Sequence, residues 1–381
     1  MRNYHRGLLP PMAGCFENSY IDGMGSPIRS EIWAVIHAGD PQAAARMGWK
    51  DSAVDHAGGE GMHGEMFWAA LQAAAFVESD PMTLINIGLA MIPVSSRVAQ
   101  AIREALHCHH TGVNWGRARE RMHRWFGHVH PCQSPINHGF TIIGWLYGKD
   151  FGDRLCKAVN CGYDTDCTGA TLGATLGIIN GMKGIPAKWS KPVGDGIVLH
   201  PFTNLPTAPK NMTELTERSV KLAQKVAKAK GDIAFGPATK LPEDILSRLF
   251  RNELALAARA QDTQAAIELC GQKEVAFHYN GEPVLRTGID KDIAVTVDGK
   301  EAQVELAVPA GWSAKRLAPG KFRLRTDKPV ANQNFVTVKL PGGQVEFVIL
   351  GPGEAKGYPV GVNVPKCQKC GARTEQCFCP K

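Results

Sequence analysis

An all-helical domain, then a small all-β immunoglobulin-like sandwich, then a cysteine-rich tail is the multidomain fold that this 381-residue sequence predicts. Three observations carry it. Over residues 27–190 the apolar residues recur at helical spacing and strand-like alternation is absent. From about residue 275 the period changes to two. Four cysteines, Cys367, Cys370, Cys377 and Cys379, then close the chain. The expected boundaries are 1–200 for the helical domain, 201–270 for a linker with amphipathic helices, 271–355 for the sandwich and 356–381 for the tail.

Each element has a local reason. Residues 41–50 are rich in alanine and follow Asp40, an N-cap with Pro41 at the first helical position. The run MFWAALQAAAF at 66–76 is apolar nearly all round, which marks a buried helix. Val98, Ile102, Ala105 and Leu106 share one face of 97–106, and Trp115, Met122 and Trp125 share one face of 114–126. Residues 137–147 (NHGFTIIGWLY) form a further apolar helix. Pro192, Pro201, Pro206 and Pro209 mark the domain exit. Two amphipathic segments follow, 213–229 capped by Thr213 and 243–260 started by Pro242.

The β-region alternates at 293–297, 303–308, 321–326, 333–340 and 345–350, with turns at Asp298-Gly299, Pro319-Gly320 and Gly342-Gly343. Short antiparallel strands at this spacing indicate a sandwich of immunoglobulin type. Trp312 is a core or edge anchor. No catalytic constellation occurs here, so the region reads as a packing or recognition module.

Composition bounds the function. The apolar content of 44% supports a sizeable core, and the formal charge of +7 is modest for this length. The basic residues are scattered rather than gathered into a stripe with aromatic platforms, so nucleic acid is not an expected partner. No apolar stretch reaches the ~18–20 residues of a membrane span. The opening MRNYHRGLLPPMAG lacks the apolar core of a secretory signal. Cys15, Cys108, Cys132, Cys156, Cys161, Cys167 and Cys270 are scattered as buried thiols are in a reducing compartment. A cytoplasmic location is expected.

Chemistry concentrates at 160–189, NCGYDTDCTGATLGATLGIINGMKGIPAKW. Asp164 and Asp166 flank Thr165 on a glycine-marked turn, and Gly169, Gly173, Ala174, Gly177 and Gly181 leave one face of the following helix nearly bare. Hard cations favour such carboxylate and hydroxyl oxygens; the competing role is an N-capping turn. Upstream, Gly23-Met24-Gly25-Ser26-Pro27-Ile28-Arg29 is a glycine turn before a helix, a place where backbone N–H groups can reach a phosphate. His56 lies in the glycine-rich stretch 51–65, and Glu65 reads as an N-terminal charge on the apolar helix after it. Asn137 and His138 stand at a helix start bordering a cleft. His107, His109, His110, His123, His128 and His130 read as surface or capping histidines, since Gly112 is a stop signal that argues against a helix continuing past Leu106. The tail spacing, C-x2-C then C-x-C, suits a structural zinc; disulfides or free thiols are the alternatives.

The 160–189 block resembles the C-terminal signature of the ADP-ribosylglycohydrolase family, which includes the dinitrogenase reductase-activating glycohydrolases. The match runs through Asp164, Thr165 and Asp166, then Gly184, Ile185, Pro186 and Trp189. It departs at Cys167, where the family has threonine or serine, and Thr168 follows with a hydroxyl. The resemblance implies a binuclear magnesium site with Asp164, Asp166 and Thr168 as ligands. The 23–29 loop is similar to the family's Gly-Asn-Gly-x-x-Met-Arg loop, which implies that Gly23, Gly25 and Ser26 hold the diphosphate and ribose. The 51–65 stretch is similar to a family segment that carries a Thr-His or Ser-His pair, which implies that His56 lines the substrate cleft.

The family's Gly-Asp-Ala-x-Gly helix and Thr-Asp-Asp-Thr motif have no counterpart, and the chain contains no Asp-Asp pair. The resemblance therefore spans roughly 15–200, and the expectation is a catalytic domain that lacks its N-terminal part and one metal half-site. Two function classes stand. The first is a magnesium-dependent hydrolase of ADP-ribosyl linkages, acting on an ADP-ribosylated protein or a small ADP-ribose-containing molecule. The second is a non-catalytic protein that binds ADP-ribose, a nucleotide or a partner.

Overall fold

The computed structural model describes residues 2–352 except 202, 204, 232 and 237–240. The four cysteines of the expected tail, and the zinc reading with them, lie outside the described residues. Two short helices, α1 (Arg2–His5) and α2 (Met12–Cys15), open the chain. The helical body is α3 (Ser30–Ile36), α4 (Pro41–Ser52), α5 (Glu60–Ala74), α6 (Pro81–Met91), α7 (Arg97–His110), α8 (Trp115–Phe126), α9 (Ser134–Tyr147), α10 (Phe151–Asn160) and α11 (Thr165–Asn180). Then come α12 (Ala187–Ser190), α13 (Met212–Lys230), α14 (Ile245–Leu249) and α15 (Glu253–Arg259). No described helix is long and apolar enough to cross a membrane.

Side-chain caps set the starts of six of the described helices. Asp40, Asp80, Ser96, Asn114 and Asp150 each accept a backbone N–H in the first turn of α4, α6, α7, α8 and α10. In α13 the cap is Asn211, which accepts from Glu214 N; Thr213, the expected cap, is inside the helix and faces Asp195. The expected helix at 243–260 is two helices, because Asn252 between them donates to Ala90 O at 3.1 Å and ties the chain to α6. The helix α7 does continue past Leu106, to His110, yet His107, His109 and His110 remain exposed.

The core forms around α5. Every residue of it except Glu60 and His63 is buried, with Phe67 and Trp68 at 0% exposure. Full burial of side chains this size contributes roughly 2–3 kcal/mol each. The helices α3, α4, α6 and α9 pack around it. It begins at Glu60 rather than after the glycines because two of them are close-approach positions. A Cβ on Gly64 would stand 2.5 Å from His138 Cε1, and one on Gly61 2.7 Å from His56 Cδ2.

The nine strands among the described residues are β1 (Ala265–Cys270), β2 (Lys273–His278), β3 (Lys291–Val297), β4 (Lys300–Glu301), β5 (Glu305–Ala307), β6 (Trp312–Ala318), β7 (Lys321–Thr326), β8 (Gln333–Leu340) and β9 (Gly343–Leu350). One antiparallel sheet runs β1-β2-β3-β7-β6 with β4 beside β3; the other runs β5-β8-β9. Residues from both sheets share one core, where Phe277 stacks on Phe347 at 5.1 Å between centroids. Trp312 packs against this core from β6.

Two expected boundaries are corrected. The strand β1 lies within the stretch read as linker and helices. The first residues of the chain belong to the β-core: Leu8 and Met12 are buried in it, and Ile267 N donates to Pro10 O at 2.9 Å.

Candidate metal centre and ligand cleft

Residues 131–137 clamp the two predicted motifs together. Gly23 pairs with Gln133 in an antiparallel bridge, Met24 N donates to Cys132 O at 2.8 Å, and Ser134 N donates to Asp22 O at 2.7 Å. Asn137, fully buried, donates through Nδ2 to Pro131 O and Gln133 O, both at 2.8 Å. Its Oδ1 accepts the Asp164 N–H at 3.0 Å. One amide side chain therefore joins the loop behind the glycines to the aspartate turn. The turn itself is built from Gly162 (φ 89°) and Tyr163 (φ 65°). A left-handed tyrosine is costly, and it is held on both sides of its hydroxyl, which donates to His128 O and accepts from His128 N, each at 3.1 Å.

Asp164 precedes α11 but makes no side-chain cap bond, so the capping role is not the one it plays. Its carboxylate lies with that of Asp166 and the thiol of Cys167, all three donor atoms within 4.8 Å of one another. Neither aspartate is in an ion pair among the described residues. Burial pushes the Asp164 carboxyl up; hydrogen bonds from Cys167 and Cys132 pull against this, and the nearby Asp166 charge adds to it. Burial and the adjacent Asp164 push the Cys132 thiol up to about 11 and that of Cys167 higher. Thr168 is buried, and its hydroxyl donates to Thr165 O at 3.1 Å, so it faces into the helix rather than toward the carboxylates.

The donor set fits the magnesium that the resemblance implies only in part. Two carboxylates that make no ion pair among the described residues suit a divalent ion. Magnesium asks for near-octahedral oxygen ligation, and this turn offers a thiol in the expected hydroxyl position. Among the described residues this is the one such cluster.

The glycine loop encloses His56. A Cβ on Gly25 would lie 3.1 Å from His56 Cε1, and one on Gly23 3.5 Å from Nε2. The ring is 7% exposed, and Nδ1 meets Asp55 Oδ1 at 2.8 Å. Arg29 grips both oxygens of Asp55 at 2.9 Å, takes Asp51 Oδ2 at 2.9 Å and donates to Gly25 O at 2.9 Å. Burial opposes the charge on Asp55, but the hydrogen bonds from His56 and Arg29 outweigh it and bring the carboxyl down to about 2. Asp55 therefore stays anionic and orients the His56 ring through Nδ1, with Nε2 beside the glycines.

Ser26 points inward. Its hydroxyl is fully buried, donates to Glu65 Oε2 at 2.5 Å and meets Ser52 Oγ at 2.6 Å. At Gly25 and Ser26 the groups able to meet a phosphate are the backbone N–H donors, which take no backbone partner among the described residues.

Glu65 is no helix-end charge. It is fully buried in the second turn of α5, accepts from Ser26 and Ser52, and burial with Asp51 alongside pushes its carboxyl up to about 9. Its Oε1 has no hydrogen-bond partner among the described residues. His138, expected at the cleft, is buried instead: Nδ1 meets Ser134 O at 2.7 Å, and burial holds its pKa down to about 4.

Sequence reasoning missed Glu65, Arg29, Asp55 and Cys132. The last had no local signal, since a single cysteine says nothing until the fold sets it beside Asp164.

No curated protein and no solved structure matches the chain. A family model for ADP-ribosylglycohydrolase matches residues 1–229, wider than the 15–200 covered by the motifs. With more than half of its residues matched, the chain belongs to the ADP-ribosylglycohydrolase family.

Proposed function

We propose that this chain is a divalent-cation-dependent hydrolase of ADP-ribosyl linkages, breaking the N- or O-glycosidic bond at the anomeric carbon of ADP-ribose. One observation carries the reading: the Asp164–Asp166 turn and the 23–26 glycine loop are fastened to the same segment, 131–137. The loop's free N–H groups at Gly25 and Ser26 receive the diphosphate. Nε2 of His56, set by Asp55, accepts a ribose hydroxyl. Asp164 and Asp166 hold the cation. Such a cation orients ribose hydroxyls and lowers the pKa of a water near an oxocarbenium-like transition state. The aspartates sit at the start of a 16-residue helix, whose partial positive end also favours anionic groups there.

The substrates fitting this site are ADP-ribosylated proteins and small ADP-ribose conjugates. A cytoplasmic location is in keeping with seven unpaired cysteines among the described residues. The immunoglobulin-like sandwich, as a packing or recognition module, and the zinc-holding tail complete the proposal; the shared core of the two sheets supports the sandwich.

A second reading, ADP-ribose binding without turnover, is favoured by one observation. The described residues hold a single acidic metal cluster, and the sequence has no Thr-Asp-Asp-Thr motif to supply another. Incubating the full chain with arginine- and serine-linked ADP-ribosyl peptides and a divalent cation separates the two. Release of free ADP-ribose, reduced about 100-fold or more in Asp166→Asn, is the hydrolase result. Tight binding with no release is the other.

A further inference from the structure

One departure from the family pattern lies in the aspartate turn itself. The residue at position 167 is a cysteine where a hydroxyl is expected, and its sulfur lies with the two carboxylates. The hydroxyl that follows, on Thr168, is turned away to Thr165 O. A second thiol, on Cys132, lies near Asp164 from a different segment, the one whose carbonyl holds Met24 of the glycine loop. Two sulfur atoms from separate parts of the chain thus flank one carboxylate, where a magnesium site would have oxygen only.

We propose that Asp164, Asp166 and Cys167 ligate a thiophilic divalent cation of the zinc class in preference to magnesium, with Cys132 as a positioning residue that orients Asp164. This rests on the reading of the turn as a cation site and adds which cation it takes. Carboxylate and thiolate together suit zinc, iron(II) or cobalt(II); magnesium and calcium favour oxygen alone. Three protein ligands leave a tetrahedral ion one open position for water or a ribose hydroxyl. Bonds of about 2.0–2.3 Å place tetrahedral ligands about 3.3–3.8 Å apart. The three donor atoms lie within 4.8 Å of each other, so the turn closes on the ion by side-chain shifts of about 1 Å. Cys167 binds as the thiolate and gives its proton to solvent; no oxidant or reductant takes part. Cys132, beside Asp164, restricts how that carboxylate turns toward the ion, as outer-shell neighbours do.

The test is a cobalt(II) titration of the full chain in which Cys367, Cys370, Cys377 and Cys379 are serine, so that the tail contributes no sulfur. The expected result is one cobalt per chain with a near-ultraviolet thiolate-to-cobalt band. Stoichiometric zinc displaces that cobalt, and magnesium in about thousandfold excess does not. Cys167→Ser loses the band, and Cys132→Ser keeps it with affinity reduced about 10–100-fold. Unchanged far-ultraviolet spectra of both variants confirm that they fold. Cobalt bound without the band, displacement by magnesium, or a band that survives Cys167→Ser overturns the inference and leaves the cation site standing. No cobalt, zinc or magnesium bound at all overturns both this inference and the reading beneath it.

Discussion

Glu65 under the glycine loop should make the protein less stable as pH rises, and replacing it with glutamine should remove that penalty. Its carboxyl is fully buried, accepts hydrogen bonds from Ser26 and Ser52 and stays protonated up to about 9, against an ordinary value of 4.5. The sign follows from linkage. A folded-state pKa above the unfolded one means that the stabilising contribution is complete below 4.5. It is then lost as pH rises toward 9, because the unfolded state gives up its proton first. Each unit in that window is worth about 1.4 kcal/mol. At pH 7 the loss is on the order of 3 kcal/mol as an upper bound. Glutamine keeps the shape, accepts the same two hydroxyl bonds and offers an N–H toward Asp51, with nothing to ionise. The two proteins should therefore be alike near pH 5, and Glu65→Gln should be the more stable at pH 7 and above. Urea denaturation followed by tryptophan fluorescence at pH 5, 7 and 8.5 reads this directly, and other titrating groups cancel in the difference. Parallel pH profiles for the two proteins, or a wild type that gains on the variant as pH rises, would refute the reasoning.

Gly61→Ala should destabilise by about 2 kcal/mol, since its Cβ would meet His56 Cδ2 at 2.7 Å and the carbonyls of Gly23 and Ile21 at 2.8 Å; thermal melting checks it. Asn137→Ala should cost about 3 kcal/mol, because it strands the Pro131 carbonyl and the Asp164 N–H. In the same variant, calorimetric affinity for a divalent cation should fall about tenfold, since the turn loses its anchor.

Much of the fold was legible because periodicity reports burial. The strand KFRLRT alternates exposed and buried without a break, as its pattern of two requires. The all-apolar run after Glu65 is indeed the innermost helix. The bare face of α11 was legible in part. At Gly169 a Cβ would come to 3.1 Å from Val159, a real close approach, whereas at Gly173 and Gly177 the nearest atoms stand at 3.7 and 3.6 Å, ordinary contact. What stayed hidden depends on residues far apart in sequence. Leu8 and Met12 look like part of a helical domain but fill the β-core. Gly61 and Gly64 read as helix breakers, and only the rings of His56 and His138 show why a helix carries them. Glu65 reads as a helix-end charge by its type, and its proton is a consequence of burial with Asp51 alongside. The aspartates were found from their motif, while the shared anchor on Asn137 and the thiol of Cys132 needed the fold.

The most direct measurement is calorimetric titration of ADP-ribose into the full chain, with a divalent cation present and then with it chelated. Binding that weakens at least about tenfold, or ~1.4 kcal/mol, on chelation and equally in Asp166→Asn is the predicted result. Absence of binding under either condition, or an affinity that neither chelation nor Asp166→Asn alters, would contradict the claim that the aspartate turn and the glycine loop form a single site.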